Sequence, residues 1–262
     1  MADVLLVDHA EGVATLTMNR PESLNSLSLE LKNALVEQLQ QVAADPAVRA
    51  VVLTGTGRGF CVGQDLAEHV QLLLADDPAP LNTVREHYNP ITVALTQMPK
   101  PVVAAVNGTA AGAGAGFAFA CDFRVVSSEA KFLLAFANVG LGLDSGASWT
   151  LPKLIGTARA LELGLLAQPI TAELADSYGL VSQLVAPEEV LPAAQALAAR
   201  LAAGPTLAYA AIKHAIHFGA SHDLAESLEN EAVQQAVAGA SHDHRNAVTS
   251  FLAKEKPTFE GR

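Results

Sequence analysis

The chain has no basic surplus. Its 262 residues carry 16 Lys and Arg against 27 Asp and Glu, a formal net charge of −11. A protein that grips nucleic-acid phosphates needs a positive footprint, so no nucleic-acid partner is expected. A small anionic ligand held by a few local cations is still compatible with that balance. Cysteine is almost absent: Cys61 and Cys121 sit in apolar or glycine-rich surroundings. Two are too few for a disulfide framework or a thiolate cluster, and both read as buried free thiols. No unbroken apolar run approaches the roughly 18 residues of a membrane span. The opening MADVLLVDHAEG lacks a basic stretch followed by an apolar one, so a cytoplasmic protein without membrane contact is expected. The eight histidines are scattered, with no HExxH, and there is no GxSxG and no GxGxxG after a strand. Metal, serine-nucleophile and dinucleotide chemistries thus lack their signatures, and no metal ligand set is assigned.

What is present is alternation of strand and helix patterns. Val4–Val7 and Val13–Met18 read as strands joined at Glu11-Gly12. Ser28 is placed to cap a helix over Leu29–Ala44, whose apolar stripe is Leu31, Leu35, Leu39 and Val42. Ala50–Thr54 is a strand, Gly55–Gln64 a glycine-rich loop, and a short helix starts at Asp65. Val84–Gln97 reads as helix, Val102–Val106 as a buried strand, and Asp122–Ser127 and Lys131–Leu134 as further strands. Beyond about residue 190 the patterns are helical and alanine-rich, as expected of a layer packed on the core or on another subunit. The sum is an α/β protein.

Two features point to chemistry. The stretch Val102–Asp122, VVAAVNGTAAGAGAGFAFACD, runs from strand through turn into a helix start with almost no side chains. Small residues let a ligand approach the unpaired N–H groups of the first helical turn, or simply let helices pack closely; the pattern fits both. Phe60–Asp65 is a second small-residue loop before a helix, so the two could bring a pair of N–H groups to one oxygen. Asp144, isolated in LGLDSGAS, is either a helix cap or a proton-transfer group.

Taken together, NRPESLNSL, VVLTGTGRGFCVGQDL, PVVAAVNGTAAGAGAGFAFACD, GLGLDSGAS and FLAKEKPTF resemble the enoyl-CoA hydratase/isomerase family, the crotonase superfamily, from about Gly12 to Phe259. The resemblance implies a spiral of ββα units over residues 1–195. A C-terminal helical region, 196–262, would serve oligomerisation and CoA binding, in a homotrimer or a dimer of trimers. It implies a CoA thioester as substrate, with no bound cofactor, its carbonyl accepting from the backbone N–H groups of Gln64 and Ala113. Arg58, Phe251, Lys254 and Phe259 would bind CoA, and Phe136, Leu141 and Leu143 would line the acyl pocket around Asp144.

The two glutamates that a hydratase of this family uses align with Gly116 and Phe136, neither of which transfers protons. Asp144 matches the acid of the isomerases, and GLGLDSGASWTLPKL resembles the ring-opening epoxide isomerase of phenylacetate degradation. An isomerase with Asp144 as acid and base is therefore expected. A hydratase, a 4-chlorobenzoyl-CoA dehalogenase with Asp144 as nucleophile, and a non-catalytic acyl-CoA binder are the alternatives. The dehalogenase would need a water-activating histidine near Asn89, and His87 is close but offset.

Overall fold

The structure, a computed structural model, describes residues 3–262. A hairpin opens the chain, with β1 (Leu5–Ala10) and β2 (Val13–Met18) antiparallel around Glu11 and Gly12. Both turn residues have positive φ, 50° and 79°, which matches the twist of a two-residue hairpin loop. Helix α1 (Leu29–Ala44) follows, capped by Ser28, whose hydroxyl accepts from the Leu31 N–H at 3.3 Å. The expected stripe of Leu31, Leu35, Leu39 and Val42 is buried.

The body is a ββα unit repeated three times. The first is β3 (Ala50–Gly55), β4 (Gly59–Cys61) and α2 (Leu66–Leu74). A π-helical turn, Val84–Tyr88, and α3 (Asn89–Gln97) link it to the second unit, β5 (Val102–Val106), β6 (Thr109–Ala111) and α4 (Ala113–Ala120). The third is β7 (Phe123–Ser127), β8 (Lys131–Leu133), a 3-10 turn at Ala135–Val139 and α5 (Ala147–Ile155). In every unit the first strand joins a six-stranded sheet, ordered β1-β2-β3-β5-β7-β10, and the second joins a four-stranded sheet, β4-β6-β8-β9. The strands β3, β5 and β7 are parallel neighbours, as are β4, β6 and β8. This is the spiral expected of the crotonase fold.

Helices α6 (Thr157–Leu166) and α7 (Ala172–Ser177) flank β9 (Ile170–Thr171), and β10 (Gln183–Val185) closes the large sheet parallel to β7. Then come α8 (Val190–Ala202), α9 (Thr206–Gly219), α10 (Leu224–Gly239) and α11 (His242–Ala253). Both faces of the large sheet are covered, which is why its strands read as unbroken apolar runs. Ala50, Val52, Val103, Ala105 and Val125 pack on Val190, Ala194, Leu197 and Ala198 of α8. Val51, Leu53, Val102, Ala104 and Val106 face the main core with α1, α3 and α4. Position 195 lies within α8. From α9 onward the helices carry exposed apolar residues, among them Ile212, Ile216, Leu224 and Phe251.

Three local expectations change. The loop Gly55–Gln64 contains strand β4, and the glycine run contains β6. Each is only three residues long and lies in a glycine-rich stretch, too short to show a period. The helix expected over Val84–Gln97 starts as a π turn, with the Asn89 N–H reaching the Val84 carbonyl. Pro90 has no N–H to continue an ordinary first turn, which favours the wider one.

Candidate active site

Each ββα unit ends near the same place, and each contributes one expected site residue there. In the first, Gly63 (φ 87°) turns the chain out of β4 into Gln64 and Asp65. Asp65 caps α2, accepting from the Ala67 N–H at 3.1 Å, while its other oxygen takes the Arg20 guanidinium at 2.9 Å and the Ser26 hydroxyl at 3.0 Å. Burial pushes this carboxyl upward, but the bonds from Arg20 and Ser26 outweigh it and hold it below the usual carboxylate range. Glu68 ties the same loop to α1 by accepting from the Leu29 N–H at 2.8 Å. Gln64 is thus held on a loop pinned at both sides.

The second unit presses directly on that loop. A Cβ on Gly63 would lie 3.0 Å from the Ala111 carbonyl oxygen and 3.3 Å from the Ala113 nitrogen. One on Gly114 would lie 2.1 Å from the Cys61 oxygen, so α4 sits here only because it is glycine at that position. Gly112 donates its N–H to Leu133 O at 2.9 Å, which makes Ala113 the first N–H of α4 without an acceptor. Close packing and an open helix start therefore coexist in this stretch; the two readings are not exclusive.

In the third unit, Asp144, Ser145 and Gly146 make a tight turn before α5. Ser145 has φ 51° and Gly146 φ 73°. A left-handed serine costs backbone energy, and such strain collects at functional turns. The turn sits against α4 and α3. A Cβ on Gly116 would lie 2.7 Å from Ser145 Cβ and 2.8 Å from Ser145 O, and one on Gly146 would lie 2.7 Å from Thr92 Cγ2. Asp144 does not cap α5. The helix begins at Ala147, its cap position is Gly146, and no side chain bonds its first turn. Instead Asp144 accepts from the Ser145 hydroxyl at 2.8 Å. Burial raises the Asp144 carboxyl above the ordinary carboxylate range, with the Ser145 bond opposing it in part.

The remaining expected residues fall into two groups. Phe136 is buried in the 3-10 turn, 7% exposed. Leu141 and Leu143 are each 37% exposed, and the Leu143 methyl approaches Gly164 of α6. Arg58 is exposed at the β3–β4 turn, its backbone carbonyl packed against Gly108. Phe251 is 81% exposed on α11, and Lys254 ends that helix. The tail beyond it is held at the other end of the large sheet. Arg49, just before β3, donates to Phe259 O at 2.9 Å, and Asp243 accepts from the Glu260 and Gly261 N–H groups. Phe259 is thus not brought to Asp144 within one chain.

His87 is buried, with both ring nitrogens engaged. Its Nδ1 accepts from the Thr83 hydroxyl at 3.1 Å, which itself accepts from Lys32 at 2.9 Å, and its Nε2 donates to Asn33 Oδ1 at 3.0 Å. Burial, then the Lys32 charge, lowers its pKa and keeps it neutral. It has no nitrogen left to activate water. A cavity of about 660 Å³ opens between α5 and α9, lined by Trp149, Lys153, Tyr209 and Lys213, and contains none of the expected site residues. Among the described residues no three His, Cys, Asp or Glu side chains come close enough to hold a metal ion.

Two structural contributors were not legible beforehand. Arg20 and Asp65 pair across 45 residues, although Arg20 belongs to the NRPESLN motif that offered the signal. Tyr88 is enclosed against the Phe117 ring of α4, and its neighbour His87 drew attention in the sequence instead.

The family model described as "Enoyl-CoA hydratase/isomerase" matches residues 8–262. The chain is 42% identical over 262 residues to the 1,2-epoxyphenylacetyl-CoA isomerase of Escherichia coli strain K12, covering all of both chains. It is 42% identical over 254 residues to a Rhodobacter capsulatus protein named probable enoyl-CoA hydratase, covering 97% of this chain and 96% of that one. A crystal structure from Mycobacterium abscessus, described as an enoyl-CoA hydratase/isomerase, superposes with a TM-score of 0.94 at 44% identity, covering 98% of this chain and 100% of that one.

Proposed function

The chain belongs to the enoyl-CoA hydratase/isomerase family, and from that membership we propose that it is an acyl-CoA isomerase with Asp144 as its acid and base. The observation that carries the proposal is the third turn itself. The Asp144 carboxyl is partly withdrawn from water, raised in pKa and committed to no helix cap, and the next residue, Ser145, packs where α4 has only glycine at position 116.

In the proposed reaction the thioester oxygen accepts from the N–H groups of Gln64 and Ala113. Asp144 takes a proton from one carbon of the acyl chain, and the electron pair moves through the conjugated system onto the thioester oxygen. The protonated Asp144 returns the proton at another carbon. The composition of the substrate is unchanged and its double bond has moved. With an epoxide on the acyl group, the electron pair would instead break an epoxide C–O bond and Asp144 would return its proton to that oxygen, so the ring opens with the composition again unchanged. One carboxyl suffices because the same group gives and takes. Hydration would need two proton-transfer groups, and Gly116 and Phe136 supply neither.

Arg58, exposed at the β3–β4 turn, is proposed to meet the CoA phosphates. Phe136 bounds the acyl pocket, with Leu141 and Leu143 at its open edge. Phe251, Lys254 and Phe259 are proposed to serve a neighbouring subunit's CoA, which the tethering of the tail to Arg49 and Asp243 favours. Residues 196–262 would then build a homotrimer or dimer of trimers, their exposed apolar residues meeting another copy. No helix among the described residues is long and apolar enough to cross a membrane, and the proposed site of action is the cytoplasm.

The test is Asp144→Asn with 3-hexenoyl-CoA, following migration of the double bond. A loss of about 10²–10⁴-fold is expected. Undiminished turnover overturns the assignment. Hydration of crotonyl-CoA by the unaltered chain at a comparable rate would favour a hydratase, and affinity for CoA esters without any turnover would favour a binder.

A further inference from the structure

Arg124, the second residue of β7, is a buried cation that the proposed reaction does not use. It is 5% exposed, and its guanidinium bonds only backbone carbonyls. Nε donates to Leu180 O at 2.6 Å, and Nη1 donates to Cys121 O at 2.7 Å and Ala118 O at 3.4 Å. Nη2 has no hydrogen-bond partner among the described residues, and it is not sealed off as the Thr96 hydroxyl is. A buried charge is costly unless it is paired.

Arg124 lines the cavity of about 660 Å³ between α5 and α9, a volume in the range of small-ligand sites. Three cations, Arg124, Lys153 and Lys213, stand there against one carboxylate, Asp122. That carboxylate is already taken. Its Oδ2 accepts from Lys213 and from the Val102 N–H, each at 2.8 Å. Burial, then the Lys213 charge, lowers the pKa of His217 and keeps it neutral. Two cations remain without a partner carboxylate: Arg124 at the buried end, and Lys153 at the exposed end, its ammonium 3.2 Å from the Trp149 ring centroid. Between them the wall is apolar, with Phe119, Leu154, Ile212 and Ile216. In a chain of net charge −11 this is a local excess of positive charge on an apolar slot.

The cavity is separate from the proposed thioester site. Ala113 begins α4, whereas Phe119 and Ala120, which line the cavity, end it. Eight helical residues span about 12 Å. An apolar side chain from another copy could cover Ile212 and Ile216, but it would leave the Arg124 charge uncompensated. A molecule with an apolar body and one negative group answers both. We propose that the cavity is a second binding site, for a small carboxylic acid with an aromatic or aliphatic body, whose carboxylate accepts from Arg124. This does not depend on the reaction proposed above.

Trp149 lines the cavity and is the single tryptophan of the chain, so its fluorescence reports on this place alone. The full-length chain is titrated with 6-phenylhexanoate and with 6-phenylhexanol, which has the same body without the charge. A saturable change is expected with the acid below about 1 mM, at least about tenfold tighter than with the alcohol. Arg124→Met should bring the two ligands to within about twofold of each other. Should that variant fail to fold, Lys153→Glu alters an exposed side chain, and the acid should weaken about threefold or more with the alcohol nearly unmoved. No response to the acid, equal affinities in the unaltered chain, or a preference that survives both substitutions overturns the proposal. A fluorescence change that follows protein concentration instead of added acid would mean that a second copy fills the cavity, and overturns it as well.

Discussion

Substituting Gly116 by alanine adds a single methyl where α4 meets the Asp144 turn, and its consequences are expected to divide unevenly between stability and turnover. The methyl would stand 2.7 Å from Ser145 Cβ and 2.8 Å from Ser145 O, against about 3.5–4.0 Å for a comfortable carbon contact. The turn must retreat by roughly 1 Å. Overpacking of this kind costs about 1–3 kcal/mol, and alanine returns about 1 kcal/mol of helix propensity. A net loss of about 0–2 kcal/mol should result. A displacement of about 1 Å at the proton-transfer group, by contrast, can cost on the order of 100-fold in rate. Urea unfolding and kcat/KM for 3-hexenoyl-CoA, measured side by side, read the two effects. Pairing the change with Ser145→Gly, which removes the clashing Cβ and suits the left-handed backbone, should restore part of the loss, with a coupling of about 0.5 kcal/mol or more. Gly116→Glu, which reinstates a hydratase acid on paper, should lose isomerisation without gaining hydration. A Gly116→Ala protein of full activity would refute the claim that the third turn occupies the place of a second-unit acid.

The other expectations concern charge. On the proposed reading Asp144 must be ionised to take a proton, so kcat/KM should fall as pH drops through its raised pKa. Removing the opposing bond with Ser145→Ala should move that acid limb to higher pH, and a stationary limb would count against Asp144 as the base. A carboxyl raised in the folded state stabilises below its unfolded pKa, about 3.8, and loses that contribution as pH rises through the folded value. Asp144→Asn should accordingly melt higher than the unaltered chain at pH 7, with the difference closing in acid. Asp65 has the opposite sign. Its lowered carboxyl stabilises at neutral pH and ceases to do so as pH falls through its folded value. Asp65→Ala loses a helix cap and leaves Arg20 unpaired, an expected cost of about 2–4 kcal/mol in urea unfolding, together with weaker thioester binding through a loosened Gln64 loop.

Elements longer than one strand of the small sheet were legible because periodicity and caps agree in them. Ser28 bonds Leu31, the α1 stripe is buried, Val102–Val106 is wholly enclosed, and Cys61 and Cys121 are buried free thiols. β4 and β6 escaped because each is three residues long and the glycines at their starts answer to distant neighbours: Gly59, the first residue of β4, lies under Leu24, and Gly108, just before β6, lies against the Arg58 carbonyl. Spacing alone left Asp144 between cap and catalyst. The three-dimensional start of α5 at Ala147, not local propensity, removes the cap. The Arg20–Asp65 pair and the enclosed Tyr88 are products of folding that no window of sequence contains.

The repeated unit also works as a ruler. Neighbouring strands of a sheet lie about 4.8 Å apart, roughly three carbon–carbon bonds. Because β3, β5 and β7 are successive neighbours, each coil of the spiral advances the site by about that step. On the proposed reading the first two coils grip the carbonyl, and the third reaches carbons farther along the acyl chain. The coil from which an acid projects then sets the carbon it can reach. A chain that leaves the second coil bare at Gly116 and arms the third at Asp144 has moved its chemistry down the substrate without altering how it holds the thioester.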